Sequence, residues 1–460
     1  MASVSTNRLK LAGRPDINNS ADLLPYESTS TQPRVFPMWL LLTGILLIPA
    51  GLDIHLSGDG LKFTPGRAII TLLLLPSLSI LARSSRHVIA SDLFVFLTAV
   101  WMVGSRIPDD GLNQSAVAST LELFGGYFVG RAYFYGPLAL TAFLRIFKIV
   151  ISLVIMIAVL DPLFGENVAQ TLVASLVHTP GGVPNQDRFG IIRAASTIEI
   201  AELYGTVCCV AGSIFLFMET RREAKFFWAG FAFFGCILSL SSGPLLAFMV
   251  VILFFLCDHL LQGYAWRWKL VAAMLTVFLL SVFALSNRPV SWLVAHMTLD
   301  PSTAYFRLYV FDYMLQQVKL SPLVGYGFGS VGHDEFLSTT TVDCVWLVNA
   351  ARYGVPMVGL FLCANLMTFI SFSSKDRSNG VDEFMTKAAT GFTQTIVTFM
   401  LVGITVHFWN ATWMLWAVCL GIRGAIKEWH RYGGRRTAQK SRFGARHAKF
   451  AVTAQSSRVT

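Results

Sequence analysis

Two arginines and two glutamates occur together in a polar segment that lies between long apolar runs. In residues 181–205, Arg188 and Arg193 lie five positions apart, and Glu199 and Glu202 follow at the entrance of the next apolar run. A planar guanidinium donates two parallel hydrogen bonds to an oxyanion, which suits a pair of arginines to hold a phosphate or a pyrophosphate. The alternative is interfacial anchoring, in which both arginines snorkel to lipid headgroups.

The segment 306–336 combines a third arginine with a glycine-rich turn. Arg307 precedes a stretch of apolar helical period, a Ser-Pro pair breaks that stretch, and GYGFG follows with Gly325, Gly327 and Gly329. Glycine permits positive φ and close backbone approach to a ligand, although a simple turn explains the same residues. The pattern neither follows a strand nor opens a βαβ unit, which excludes a nucleotide-binding fold.

Candidates for proton transfer follow this turn. Asp343 lies at the mouth of the next apolar run and His333 ten residues before it, and either side chain can accept a proton from a hydroxyl. Arg352 follows Asp343 by nine residues, or about 13 Å along a helix, so we expect no direct ion pair between them. An arginine within an apolar run is either functional or paired on a neighbouring helix.

Membrane-spanning helices must position these residues. The chain of 460 residues is 54% hydrophobic and 13% charged, whereas soluble domains are about 25% charged. Apolar runs close to the length of about 20 residues that a spanning helix needs recur along the chain. We predict an all-α integral membrane protein with about 12 spans, in a range of roughly 10 to 13. The predicted spans are 36–54, 68–82, 88–106, 114–130, 146–163, 198–218, 226–241, 244–260, 270–287, 344–370, 388–406 and 411–425.

The charges of the loops predict the orientation. Alternate connections and the two tails carry 27 of the 36 Lys and Arg, and cytoplasmic loops concentrate such residues. Both termini are therefore expected in the cytoplasm, with disordered tails at 1–35 and 426–460 around a membrane domain at 36–425. Two long loops, 164–197 and 288–343, are then extracytoplasmic. Most of the net charge of +10 lies in the C-terminal tail, beside anionic lipid, so no nucleic-acid partner is expected.

The order of these motifs carries a resemblance to a known family. R-x-G-x-x-R-A precedes a span, an arginine precedes a short helix, S-P-L-x-G-x-G-x-G follows, and a polar residue with W-L and Y-G enters the next span. G-x-Y-F-V-G-R at 125–131 and D-P-L-F-G at 161–165 extend the pattern. Over residues 115–425 the chain resembles the O-antigen polymerase and ligase superfamily, and more narrowly bacterial exopolysaccharide polymerases.

This resemblance implies a glycosyltransferase of GT-C-like architecture in the bacterial inner membrane, working without a metal or another cofactor. Arg188, Arg193 and Arg307 would bind the pyrophosphate of an undecaprenyl-pyrophosphate-linked oligosaccharide. Asp343 stands where ligases of the superfamily have a histidine and would be the general base, with His333 as the second candidate. Further site positions in the same segments are Glu199, Arg352, Gly325, Gly327 and Gly329.

Two other turns bear on the assignment. In SLSSGP, Gly243 stands where many relatives have an arginine, so any contact made there is absent or replaced. The hairpin with His407, Trp409 and Asn410 could stack on sugar rings or belong to an interfacial aromatic belt. The replacement of histidine by aspartate argues against a ligase.

We therefore expect a polysaccharide polymerase that joins a growing glycan to an incoming lipid-linked repeat unit. The alternatives are a ligase that transfers glycan to lipid A core or protein, a lipid-linked oligosaccharide flippase or transporter, and a structural membrane component. The expected partners are the lipid-linked oligosaccharide, membrane lipid, and a chain-length regulator or an export complex.

Overall fold

The structure is a computed structural model. It describes residues 34–49, 62–84, 86–111, 113–177, 186–261, 301–328, 342–369 and 380–433, with a few isolated positions at 51–55 and 264–284. The helices are α1 (Val35–Leu46), α2 (Pro65–Arg83), α3 (Ala90–Gly104), α4 (Ile107–Asp110), α5 (Gln114–Tyr133), α6 (Pro137–Phe164), α7 (Val168–Val177), α8 (Ala201–Met218), α9 (Arg222–Leu238), α10 (Ser242–Leu260), α11 (Pro301–Leu320), α12 (Val345–Tyr353), α13 (Val355–Phe369), α14 (Gly380–Val402) and α15 (Asn410–Glu428), followed by a π-helical segment (Trp429–Gly433).

Two short antiparallel strand pairs accompany the helices. Strand β1 (Ile54–His55) pairs with β2 (Lys62–Phe63) before α2. Strand β3 (Asp187–Arg188) pairs with β4 (Ile191–Ile192) before α8, and Asp187 lies opposite Ile192. The second pair forms a hairpin that carries the first arginine of the predicted site.

The helices have the apolar character of a membrane protein. Among the described residues, α2, α6, α8 and α10 are long and apolar enough to cross a membrane. Helix α8 is 94% buried among α9, α10 and α14, whereas the apolar windows of α2 and α10 are only 28% buried. Apolar helix surfaces that no protein covers belong in lipid. The described chain is thus that of an all-α membrane protein.

One predicted span is wrong as a single helix. The run 344–370 divides into α12 and α13 at Gly354, where φ is +82°. A Cβ at this position would overlap the carbonyl of Leu323, and Val355 N–H donates to the carbonyl of Pro322 at 2.7 Å. The break therefore exists because a distant segment packs against it.

Other predicted boundaries shift, and some lie outside the described residues. Helix α1 ends at Leu46, well short of residue 54, and α15 extends past residue 425 to Glu428. The long loop 164–197 contains α7 and the β3–β4 hairpin, and the loop 288–343 contains α11. The predicted span 270–287 and the tails 1–33 and 434–460 fall almost wholly outside the described chain.

Helices α5 and α15 run parallel in close contact. Gly126 and Gly130 form a G-x-x-x-G pair on α5, and a Cβ at Gly130 would come within 2.5 Å of the Val418 carbonyl. A Cβ at Gly421 would overlap the carbonyl of Tyr127. Small residues at such positions let two membrane helices approach closely. Helix α15 packs closely along α5 in a tight seam, and each end of α15 lies in a cluster of polar residues.

One of these ends, the network end, holds the buried ionic side chains Arg86, Asp92, Arg131 and Glu428. Arg131 donates to Asp92 through Nε at 2.9 Å and through Nη2 at 3.0 Å, and to Glu428 through Nη1 at 2.6 Å. Arg86 Nε donates to Glu428 at 2.8 Å. Tyr127 adds a hydroxyl donor to Asp92 at 2.5 Å. These bonds join α3, α5 and α15.

Candidate functional site

At the opposite end of α15, which we call the site end, the β3–β4 hairpin lies over the turn between α9 and α10. Arg188 Nη1 donates to the carbonyl of Leu240 at 2.7 Å. Arg193 Nε donates to the carbonyl of Ser239 at 3.1 Å, and its Nη1 donates to Gln186 Oε1 at 2.8 Å. Both predicted arginines are thus held against the SLSSGP turn by backbone carbonyls.

Arg193 also forms a buried ion pair with Glu202 in the first turn of α8. Arg193 Nη2 lies 2.8 Å from Glu202 Oε1, and the two side chains are 7% and 12% exposed. The second oxygen of Glu202, Oε2, is buried and accepts no hydrogen bond from the part of the chain that the structure describes. A buried carboxylate oxygen without a donor is costly. The pair therefore has hydrogen-bonding capacity that the protein does not fill.

Glu199 lies one turn before this pair and has the same property. Its Oε1 accepts from the N–H of Ala411 at 3.4 Å, and its carboxylate also bonds with the side chain of Asn410, at the start of α15. Glu199 Oε2 is buried and, like Glu202 Oε2, is left without a full hydrogen bond by the described residues. Burial raises the pKa of Glu199 to about 7. Glu199 can therefore exchange a proton near neutral pH.

Arg307 and Asp343, which are 36 residues apart in sequence, form an ion pair. Arg307 Nε donates to Asp343 Oδ2 at 3.0 Å, and the side chains are 24% and 41% exposed. Burial raises the pKa of Asp343; the Arg307 guanidinium opposes this shift, and the nearby Glu202 carboxylate adds to it. Asp343 and Glu202 therefore lie within electrostatic reach, which links this pair to that of Arg193.

Strained backbone is concentrated at this end. Four residues other than glycine have a positive φ in the described chain: Phe189 at 57°, Ser196 at 56°, Leu240 at 46° and Asn410 at 41°. All four lie in the hairpin, in the segment before α8, or in the two turns that contact them. Sparsely populated backbone conformations cluster at active sites and ligand clamps, because the surrounding structure must maintain them.

Asp161 in the D-P-L-F-G motif maintains one of these strained residues. Its Oδ2 accepts from the N–H groups of Ala195 at 3.0 Å and Ser196 at 2.8 Å. Ser196 Oγ donates to the carbonyl of Val154 at 2.7 Å. Helix α6 therefore fixes the segment that connects Arg193 to Glu199.

The glycine-rich turn packs on the end of α12. Gly325 has φ +69°, and a Cβ there would overlap the carbonyl of Ala351. Tyr326 N–H donates to Ala351 at 2.6 Å, and Gly327 N–H donates to Arg352 at 3.0 Å. The close backbone approach that these glycines permit is thus made to the chain itself. Gly329 and His333 lie outside the described residues.

Arg352 has no carboxylate partner within the described chain. Its guanidinium lies over the ring of Phe328, 4.6 Å from the centroid. It also lies near His407, whose pKa is lowered to about 3 by burial and then by the charge of Arg352. His407 Nδ1 is buried and no described group bonds to it. Arg352 and His407 thus lie within electrostatic reach of each other.

The structure brings together five of the predicted residues. Arg188, Arg193, Glu199, Arg307 and Asp343 share the site end. The sequence places Glu202 in the same charged segment as Glu199 but assigns it no role in the site, whereas in the structure it pairs with Arg193 and acts electrostatically on Asp343. At position 243, a Cβ would lie 3.0 Å from Thr405 Oγ1, so a larger side chain there requires Thr405 to shift.

Comparison with known proteins assigns no family to this arrangement. No protein-family model matches the chain, and no curated protein matches it at a significant level. A functional assignment therefore rests on the order of the motifs and on the geometry of the site end.

Proposed function

We propose that the protein is a polysaccharide polymerase of about a dozen spans and GT-C-like architecture in a bacterial inner membrane. It transfers a growing glycan from undecaprenyl pyrophosphate to a hydroxyl of an incoming lipid-linked repeat unit at the periplasmic face. The observation that carries this proposal is the cluster of Arg188, Arg193 and Arg307 beside three carboxylates at one end of an apolar bundle. A lipid pyrophosphate has the charge and the depth to fit such a cluster.

The two ion pairs suggest how the donor binds. Its pyrophosphate replaces Asp343 as the partner of Arg307. It also accepts hydrogen bonds from N–H groups of Arg188 and Arg193. In the structure these groups donate to Leu240, Ser239 and Gln186. Bidentate guanidinium–phosphate bonds are strong enough to compete with these contacts. The same donors then stabilise the charge that develops on the leaving pyrophosphate.

When Arg307 binds the pyrophosphate, its ion pair with Asp343 breaks, and Asp343 can act as the general base. The acceptor oxygen attacks the anomeric carbon while the bond to the pyrophosphate oxygen breaks, and the hydroxyl proton passes to Asp343. Because burial raises the pKa of Asp343, its carboxylate is a stronger base than an ordinary aspartate. A single displacement inverts the configuration at the anomeric carbon.

Deleting the gene and analysing the lipid-linked glycan pool tests the activity. Accumulated single repeat units with loss of polymer support a polymerase. Full-length chains that remain on the lipid carrier indicate a ligase, and repeat units that accumulate on the cytoplasmic face indicate a flippase. Either of these two results overturns the proposal.

Substitutions at the site end test the mechanism. We expect Arg188→Ala, Arg193→Ala and Arg307→Ala each to lower polymer yield by about 100-fold or more, with protein still present in the membrane. Asp343→Asn should have a comparable effect. Arg222→Ala is the matched control, because Arg222 is an exposed arginine at the start of α9. Normal polymer from two of the three arginine variants contradicts the pyrophosphate clamp.

A further inference from the structure

Three basic residues follow one another at intervals of four along the end of α15. They are Arg423, Lys427 and, in the π-helical segment, Arg431. Four residues rise about 6 Å along a helix and return to nearly the same face. Both arginines act electrostatically on the ammonium of Lys427, and its Nζ donates to the carbonyl of Met367 at the end of α13. The three form one basic face, which we call the α15 cation face.

Neighbouring carboxylates do not neutralise this face. Glu428 lies on the same helix, but Arg86 and Arg131 occupy its Oε2 and the N–H of His87 occupies its Oε1. Asp92 attracts Lys427 from a distance, although both of its oxygens accept bonds from Arg131. Among the described residues, no carboxylate forms an ion pair with a member of the α15 cation face.

Arg423 is the most deeply buried member of the face. It is 4% exposed, its Nε donates to Thr393 Oγ1 on α14 at 2.8 Å, and its buried Nη1 has no hydrogen-bond acceptor among the described residues. A buried charge that is neither paired nor fully hydrogen-bonded is strongly unfavourable. The missing group must be an acceptor, and a negative charge would also balance the three cations.

We propose that the α15 cation face binds a phosphate-bearing anion, supplied by the headgroup of an anionic phospholipid. Guanidinium and ammonium groups are the preferred protein ligands of phosphate. Loop charges predict that this end faces the cytoplasmic leaflet, which is rich in anionic lipid. Lys427 and Arg431 contact the phosphate near the surface, and Arg423, about 6 Å farther along the helix axis, adds its positive charge from inside the bundle.

Full-length protein in lipid nanodiscs provides the test. We expect added phosphatidylglycerol to raise the unfolding temperature of the wild type by about 3 °C above its value in phosphatidylcholine alone. Arg423→Gln, Lys427→Gln and Arg431→Gln should each lose most of this rise, while Arg222→Gln and Lys427→Arg should keep it. The two surface variants keep the test valid if the buried Arg423→Gln does not fold.

Two outcomes would refute the proposal that the α15 cation face binds phosphate. A third measurement, with inorganic phosphate, identifies the source of the phosphate. Lipid stabilisation that is equal in wild type and all three glutamine variants excludes binding at this face. Absence of any response to phosphatidylglycerol or to inorganic phosphate excludes it as well. If inorganic phosphate in phosphatidylcholine discs stabilises the wild type and not the variants, the site is supported and its anion is a soluble phosphate.

Discussion

The network end and the site end place the same residue types in an apolar bundle, but they use them differently. At the network end both carboxylates have every oxygen occupied: Asp92 and Glu428 each receive several donors from Arg131, Arg86 and the backbone. At the site end Glu199 and Glu202 each retain a buried oxygen to which no described group donates.

The backbone conformations of the two ends also differ. Every described residue other than glycine that has a positive φ belongs to the site end. Buried polar groups are normally satisfied, and exceptions together with backbone strain mark sites where a ligand completes the structure. We therefore expect unfilled hydrogen-bonding capacity of carboxylates, rather than the number of charges, to distinguish the candidate site from the structural network.

The largest expected effect is the loss of the central arginine of the network end. Arg131→Gln leaves Asp92 and Glu428 buried and undercompensated, which costs about 3–5 kcal/mol of folding free energy. Thermal unfolding of the purified protein in detergent measures this loss. Arg193→Gln at the site end should cost less, because Arg193 pairs with one carboxylate, Glu202, whereas Arg131 pairs with two. Equal losses would remove the distinction between the two ends.

The next effect is a pH dependence that only the site end should show. The pKa of Glu199 rises from 4.5 to about 7 on burial, so folded protein holds a proton that unfolded protein releases between these values. This contribution is complete below about pH 4.5 and is lost as the pH rises through 7, and it amounts to at most about 3 kcal/mol. The lowered pKa of His407 gives both proteins an opposite slope in this range, so the measured quantity is the difference: between pH 5 and 8 the melting temperature of wild type should fall relative to that of Glu199→Gln. An unchanged slope in the variant would show that Glu199 does not titrate.

The sequence predicts the site end better than it predicts the contacts within it. Apolar runs locate α6, α8 and α10 because the membrane demands a minimum helix length whatever the partners are. The break at Gly354 and the Arg307–Asp343 pair depend on segments that are many residues apart, and neither hydropathy nor spacing records such proximity. For the same reason Glu202 becomes visible as a link between the arginines only in three dimensions.

A smaller effect is expected at the seam that joins the two ends. A methyl group added by Gly421→Ala would overlap the Tyr127 carbonyl, and forcing such helices apart costs about 1–3 kcal/mol. The measurement is again the unfolding temperature. Gly230→Ala is the matched control, because no atom lies within 4 Å of the added methyl on α9. A neutral Gly421→Ala would show that α5 and α15 can separate, and that the ends are not rigidly coupled.

The smallest effect concerns the tip of the β3–β4 hairpin, where strain and exposure coincide. Phe189 and Gly190 form a two-residue connection with φ of 57° and 74°, as in a type I′ turn, for which Asn-Gly is the favoured sequence. Phe189→Asn should therefore stabilise the protein by at most about 1 kcal/mol. Phe189 is 78% exposed, so the substitution removes little packing. If polymer yield falls while stability rises, the aromatic ring is retained for contact with lipid or substrate, and strain at the site end serves function. If polymer yield is unchanged, the strain of Phe189 has no role in function. The comparison of the two ends then rests on Ser196, Leu240 and Asn410.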